Sequence, residues 1–379
     1  MRKANIAVIG CGNLAQSQHI SNLIKSKKSN LCCFCDVNES TLKDLAERFP
    51  HVPTESDYKK VLYNPDIDGV VIATREEEHV PLTIEALNAG KYVYVEKPLA
   101  ETSEDCQKVV EAEKKSGKRV LVGMNRRLAP SYRDAKGILE RNGGMKAAYY
   151  RIADPFALDW GRKMNIMGKR IIIECCHIID ILRYFADSEV KTVYCYSSRP
   201  DEDNVLLQFE NGSSAMMLGS GYVPRETPKE HFEATTEEGF VTVDDFCELH
   251  SFGLPGEVEC KYYEGHSHVE HDYLQAQWYK NEGLKADIAV RKFLVQEEVR
   301  AEKAAREEGK PVYSYHEPYL YYINYGVDKG WFNALEHFAD VILEGVPVEA
   351  ATAEDAYKAA KIIDAIIESR EKGILVDVK

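Results

Sequence analysis

The 379-residue chain has a formal net charge of -14, with 44% hydrophobic and 29% charged residues, the make-up of ordinary globular material long enough for two domains. So acidic a chain is repelled by nucleic acid and by anionic membrane surfaces unless a basic patch intervenes, and the one dense charge run, Gln296 to Lys310, mixes Glu, Arg and Lys as a solvated helix face does. No apolar run approaches the ~18 residues of a membrane span, and Asn5 to Ile9 is too short for a signal-peptide core, so the expected location is the cytoplasm.

From Asn5 to about Asn125, short apolar β-rich runs alternate with helical patterns. Strands are expected at Asn5 to Gly10, Leu31 to Asp36, Asp68 to Thr74, Tyr92 to Glu96 and Arg119 to Asn125. Such alternation predicts parallel strands with crossover helices, an α/β doubly wound sheet in a first domain of residues 1–125. Asn38, Glu39 and Ser40 precede one helix, and Thr102 and Ser103 another, supplying acceptors for free amides at the helix start. The second strand carries Cys32, Cys33 and Cys35. These read as buried thiols packing as small hydrophobes in a reducing compartment, since no second pair stands at zinc-site distance.

The first strand runs into Gly10-Cys11-Gly12-Asn13-Leu14-Ala15 and then directly into a helix. In that context the glycine turn has a Rossmann reading. Gly10 permits the tight turn, Gly12 lets backbone approach a pyrophosphate, and Ala15 keeps the helix close to its sheet. Asn13 and Leu14 begin the helix whose free amides and dipole favour the pyrophosphate charge. Asp36 closes the second strand, where a carboxylate accepts from both ribose hydroxyls and repels a 2'-phosphate. Val37 and Asn38 offer no Arg in exchange, so the expected cofactor is NAD rather than NADP. The fourth strand of this series ends in Glu96-Lys97-Pro98, at the carboxyl edge where ligands meet open α/β sheets. An X-Pro bond there can be cis. Beside a cationic nicotinamide and partly desolvated, Lys97 is expected to have its ammonium form disfavoured and to handle a substrate proton.

After Pro130 the rhythm changes. A helix to about Glu140, a strand from Lys146 to Ala153 and a helix from Arg170 to Phe185, which carries Cys175 and Cys176, lead into consecutive strands. These are Val190 to Ser198, Asn204 to Glu210, Ser214 to Tyr222, His231 to Thr236, Phe240 to Asp245 and Val258 to Tyr263. Strands in succession, with turn signals such as Asn211-Gly212, predict an α+β second domain over residues 126–379 with a large open, mainly antiparallel sheet. Helices from Trp331 to Leu343 and Ala353 to Glu371 close the chain. Between Gly265 and Lys329 the pattern is hardest to read: a charged helix, roughly Leu284 to Glu308, precedes a Tyr-dense stretch, Tyr313 to Tyr325, which reads as packing, a subunit contact or an aromatic wall for substrate. His266, His268 and His271 lie close together without metal-site spacing, and no metal is expected.

Gly10-Cys11-Gly12, Asp36, Glu96-Lys97-Pro98 and Gly123-Met124-Asn125-Arg126-Arg127 together resemble the glucose-fructose oxidoreductase, inositol dehydrogenase and MocA (Gfo/Idh/MocA) family of NAD(P)-dependent oxidoreductases. The resemblance covers nearly the whole chain. It implies hydride transfer between nicotinamide and a ring carbinol carbon of a sugar, glycoside or cyclitol, with a second domain that supplies the substrate pocket and a homo-oligomer contact, dimer or tetramer. It also implies a catalytic His on the helix opening the substrate domain, matched here by His177. Glu174, His177 and Asp180 stand three apart on one flank of that helix, where a carboxylate can orient the imidazole, and a free His near pKa ~6.5 suits proton exchange. One departure is that the acid many members carry four residues before this His is Ile173 here, with Glu174 the nearest acid. Asp180 sits at the familiar place after the His, for substrate or for structure. Thr74, His79 and Asn125 join the implied cofactor contacts, and Arg126 begins the segment entering the pocket. Two other outcomes remain open: an enzyme that retains NAD and makes a 3-keto sugar for glycoside cleavage or sugar-to-sugar redox exchange, and a non-catalytic NAD- or sugar-sensing regulator.

Overall fold

Ala4–Ile9 is the first strand, β1, and nearly every side chain on it is buried on both faces, the mark of a strand covered by helices on either side. Ser29–Cys35 (β2), Thr54–Glu55 (β3), Gly69–Ile72 (β4), Tyr92–Val95 (β5) and Val120–Val122 (β6) complete a parallel sheet in the order β3-β2-β1-β4-β5-β6. The order reverses between β1 and β4, and the crevice outside the carboxyl ends of the strands at that switch point is where open α/β sheets take ligands. This sheet is the doubly wound Rossmann arrangement that the alternating pattern predicts. The computed structural model describes residues 2–224, 227–263 and 328–378, with isolated positions 285, 289, 304, 307 and 308. The Tyr-dense stretch, the three clustered histidines and most of the charged helix expected over 284–308 lie outside the described residues.

The second sheet has nine strands, in the order β14-β13-β12-β11-β7-β10-β9-β8-β15. They are Ala147–Ala153 (β7), Val190–Arg199 (β8), Glu202–Phe209 (β9), Ser214–Ser220 (β10), Glu230–Thr235 (β11), Phe240–Asp244 (β12), Glu248–Phe252 (β13), Cys260–Tyr262 (β14) and Val376–Asp377 (β15). Its pairs are antiparallel except β7 with β10, which run parallel. Burial alternates strictly along β9 and β11, so one face packs on helices and the other is open. Leu206, Met216 and Tyr196 lie on that open face. The short strands β3, β13 and β15 carry too few residues, or too polar a pattern, to announce themselves by periodicity.

Two differences from the sequence pattern bear on the site. The helix expected from Arg170 to Phe185 is broken into Arg170–Ile173 and Cys176–Ala186, with Glu174 and Cys175 at the break. The helix Trp331–Glu344, expected with the second domain, packs instead on the first sheet: Leu335 and Phe338 share a buried cluster with Ile6, Val8 and Tyr94. A Cβ on Gly69 of β4 would stand 2.9 Å from Ile342 and 3.0 Å from Phe338, so the strand and this helix need glycine there to approach. The chain therefore returns to the first domain after building the second, and residues 328–330 arrive beside the site on the way.

Candidate active site

The glycine turn takes the conformation the motif requires. Gly10 has φ +86°, and a Cβ on it would lie 2.6 Å from the Ala73 carbonyl oxygen, so no other residue fits between β1 and β4. A Cβ on Gly12 would meet nothing within 4 Å among the described residues. That open cradle, facing the start of the helix at Asn13 and Leu14, has room for a pyrophosphate against backbone. Asp36 braces the turn: Oδ2 accepts from the Cys11 N–H at 2.7 Å and Oδ1 from the Asn38 N–H at 2.8 Å. Each carboxylate oxygen has a further lone pair, which suits ribose hydroxyls. Ala15 is buried, as a close helix-to-sheet approach demands. These residues fit a dinucleotide.

Farther along the same sheet edge, Thr74 follows β4, its hydroxyl donating to the Arg75 carbonyl. His79 is buried in the helix Glu76–Asn88, and its Nδ1 lies 2.8 Å from the Pro98 carbonyl oxygen. A carbonyl only accepts, so Nδ1 carries the proton and the buried Nε2 holds a lone pair with no partner among the described residues. The Lys97–Pro98 peptide is cis. Asn125 opens a short 3-10 turn after β6, donating from Nδ2 to the Lys329 carbonyl at 2.7 Å, with its own Oδ1 buried and unpartnered among the described residues.

Lys97 reaches across to the substrate-side helices. Its Nζ donates to the Ile173 carbonyl at 2.8 Å and to Glu174 Oε1 at 3.3 Å, leaving one N–H of three without a partner among the described residues. Here the expected weakening of the ammonium is corrected. Burial does disfavour the charged form, but the Glu174 and Glu96 carboxylates outweigh it and hold the amine above its ordinary value. In the protein itself Lys97 is a cation.

His177 lies in the first turn of Cys176–Ala186, buried, with no partner for Nδ1 among the described residues. Burial, then the positive charges of Arg126 and Lys97, push its pKa well below the ordinary imidazole value, with Glu174 opposing. The ring is neutral through the physiological range, which replaces the expectation of a histidine near its free value. Neither expected carboxylate orients it. The break in the helix turns Glu174 toward Lys97 and Lys229, 3.3 and 3.5 Å away. Asp180 is wholly buried in a fork with Arg127, at 2.9 and 2.5 Å, so it serves the interior rather than the cleft. Arg126 is likewise engaged: Nε and Nη2 meet the two oxygens of Glu230 at 3.0 and 2.6 Å.

Sequence reading missed the groups on the far side of this cluster. Lys229 bridges Glu174 and Asp154, and Asp154 pairs with the buried Arg170 at 3.1 Å. Glu230 also accepts from Tyr150 Oη at 2.7 Å and from Lys329 Nζ at 3.3 Å. Burial opposes the charge on Glu230, yet Arg126 and Lys329 hold it far below the usual carboxylate range. Lys329 has the reverse balance: burial, helped by Lys229 and Arg126, lowers it to about 8 despite Glu230. A signal for Glu230 was present, because it shares the inward phase of β11 with Phe232 and Ala234. Nothing in the local pattern pointed to Lys329.

All ten cysteines are free, eight of them buried. Among the described residues no His, Cys, Asp and Glu cluster is arranged to hold a metal, and no helix is long and apolar enough to cross a membrane.

Comparison with known proteins agrees with this geometry. Residues 4–124 match the Gfo/Idh/MocA oxidoreductase family, described by its NAD-binding Rossmann fold. An oxidoreductase of Bacillus subtilis, YrbE, is 28% identical over 229 residues, covering 56% of this chain and 66% of that protein. The inositol 2-dehydrogenase of Salmonella paratyphi B is 29% identical over 202 residues, 51% of this chain and 57% of that enzyme. The matches thus span less than two thirds of either relative. An Agrobacterium radiobacter oxidoreductase, solved with NAD+, L-tartaric acid and magnesium, superposes over 100% of this chain and 99% of its own with a TM-score of 0.75. At 18% identity that likeness speaks for the fold alone. Through its N-terminal NAD-binding Rossmann domain, the chain belongs to the Gfo/Idh/MocA family of oxidoreductases.

Proposed function

We propose that the protein moves a hydride between NAD and a ring carbinol carbon of a sugar, glycoside or cyclitol, with Lys97 and His177 as its catalytic residues. The observation that carries this reading is the bond from Lys97 Nζ to the Ile173 carbonyl, which joins the carboxyl edge of the Rossmann sheet to the break just before the His177 helix. An ammonium and a neutral imidazole are then near enough for the charge of Lys97 to help lower the pKa of His177.

When bound, NAD supplies the hydride acceptor or donor. Gly10, Gly12, Asn13 and Leu14 would hold its pyrophosphate, Asp36 its ribose, and Thr74, His79, Glu96 and Asn125 would shape the nicotinamide side. In the oxidative direction the free N–H of Lys97 hydrogen-bonds the substrate oxygen and stabilises negative charge developing there. His177, uncharged, takes the hydroxyl proton. In reduction the same imidazole, once protonated, returns it. Arg126 acts through Glu230 on the pocket wall. Asp180 would steady the helix under His177 through Arg127. The inositol 2-dehydrogenase relative supports a polyhydroxylated ring as substrate. The buried free thiols suit a reducing cytoplasm, and the exposed Leu206, Met216 and Tyr196 suit a homo-oligomer contact on the open sheet.

The test is NADH fluorescence with purified protein against inositols, aldoses, sugar nucleotides and aryl glycosides. Turnover with at least one, abolished in Lys97→Ala while NADH binding persists, is the expected result. Full turnover by Lys97→Ala rejects the assignment. Reduction of tightly held cofactor without added NAD moves the reading to a retained-NAD enzyme, and binding without any reduction moves it to a sensor.

A further inference from the structure

We propose that His19, acting through Glu96, is a positioning residue for Lys97 and couples the cofactor-binding helix to the lysine. The inference rests on the reading of Lys97 above.

The helix behind the glycine turn is not a regular α-helix for long: it starts in α geometry at Asn13 and Leu14 and then widens. Ala15–Ile20 forms a wide π turn that gives way to regular helix at Ser21–Lys25. Such wide turns re-aim side chains and recur at functional sites. This one sends His19 inward to complete burial, 0% exposed, between the helix and the sheet. There its Nε2 lies 2.8 Å from Glu96 Oε1, seventy-seven residues away in sequence. The other Glu96 oxygen accepts from the Lys97 backbone N–H at 3.1 Å. One carboxylate therefore takes a bond from the cofactor helix on one side and from the lysine's own amide on the other.

The surroundings leave the carboxylate little choice of position. A Cβ on Gly123, at the end of β6, would stand 2.9 Å from both Glu96 oxygens, so the carboxylate fills the space that glycine vacates. The Tyr94 ring meets the imidazole edge-on at 5.4 Å. Burial opposes the charge on Glu96, but His19 and Lys97 keep its pKa below the ordinary value. A carboxylate only accepts, so Nε2 of His19 carries the proton. Its Nδ1 is buried with no partner among the described residues, which makes Glu96 the one polar contact that fixes the ring. Because the π turn begins three residues after Gly12, a shift of the helix on cofactor loading would pass through His19 and Glu96 to the Lys97 amide.

Three variants test this: His19→Leu, His19→Gln, whose amide N–H can still donate, and Glu96→Gln. The readouts are melting temperature, NADH affinity by fluorescence, and the pH profile of Lys97 acetylation by acetic anhydride followed by mass spectrometry, which needs no substrate. For any substrate found, kcat and KM are measured separately. In His19→Leu, NADH affinity is expected within about threefold of wild type. The Lys97 acetylation midpoint falls toward that of an ordinary lysine, and kcat drops about 10- to 100-fold with KM little changed, the scale of a misplaced catalytic group. His19→Gln restores most of both, and Glu96→Gln repeats the acetylation shift. An unchanged Lys97 profile in His19→Leu, even with a lowered melting temperature, makes the dyad a structural tie only and overturns the proposal. Should His19→Leu fail to fold, an unchanged profile in Glu96→Gln overturns it equally. Absence of turnover in wild type would count against the proposed reaction, while the acetylation shift would still decide the role of His19.

Discussion

Lys97 Nζ stands 3.3 Å from Glu174 Oε1, and this contact sets the charge on the proposed catalytic amine. Burial would strip the ammonium, and Glu174 is the first of the groups that restore it. Glu174→Gln removes that carboxylate charge, so the ammonium deprotonates at lower pH. Since Lys97 is proposed to act as a cation, activity is lost as pH rises through its pKa. The alkaline limb of kcat/KM in Glu174→Gln is therefore expected at lower pH than in wild type. Identical alkaline limbs would mean that Lys97 does not act in its charged form.

The two motif glycines should fail differently. At Gly10, φ +86° and a Cβ only 2.6 Å from the Ala73 oxygen make Gly10→Ala costly; the left-handed backbone alone accounts for roughly 1–3 kcal/mol, read as a lower urea midpoint. At Gly12 the space is open. Gly12→Ala should leave unfolding within about 0.5 kcal/mol, as surface changes do, while the added methyl obstructs backbone approach by the pyrophosphate and weakens NADH binding. Equal loss of stability in both variants would show that Gly12 has a packing role instead.

That contrast marks how much the sequence could disclose. The placement of Gly10, Gly12, Asp36 and Lys97 at the carboxyl edge of the first sheet is legible because it follows from local chain geometry at the ends of strongly apolar strands. His177 is a candidate through resemblance alone, and its electrostatics are not legible in the sequence, because they depend on where Glu174 turns when the helix breaks after Ile173. The sequence puts Arg126 in the segment entering the pocket and leaves Asp180 open between substrate and structure. Only the fold reveals that Glu230 and Arg127 claim them first. His19 and Lys329 lie 77 and 99 residues from the partners they meet, and no local pattern encodes so distant a contact.

His177 predicts an acid sensitivity. Its pKa in the folded protein is well below the ordinary value because of burial and then Arg126 and Lys97, whereas in the unfolded chain the ring protonates near pH ~6.5. Below that pH the unfolded state binds the extra proton, so stability falls as pH falls, at up to about 1.4 kcal/mol per pH unit from this group. His177→Gln removes the titration. Urea unfolding at pH 7, 6 and 5 should find the variant losing less stability than wild type over this range. Parallel losses would place the burden on other groups.

Lys329 titrates with the opposite window. Burial, with Lys229 and Arg126, lowers it to about 8 in the folded state, against about 10.4 in an unfolded chain. Between those values the unfolded state holds a proton that the folded state has released, so this group's contribution to stability rises with pH from about 8 to about 10.4. Lys329→Met abolishes that rise. Glu230 keeps Arg126 and Tyr150 as partners in the variant, so the fold should survive, and the comparison of slopes does not depend on the absolute cost of the substitution. Wild type should gain on Lys329→Met by about 3 kcal/mol between pH 7 and 10.4, the equivalent of the shift at about 1.4 kcal/mol per unit. Guanidinium unfolding across that range measures it. A constant difference between the two proteins would mean that Lys329 keeps its proton in the fold, pairing with Glu230 as a permanent cation, and would leave His177 as the one neutral proton acceptor beside Lys97.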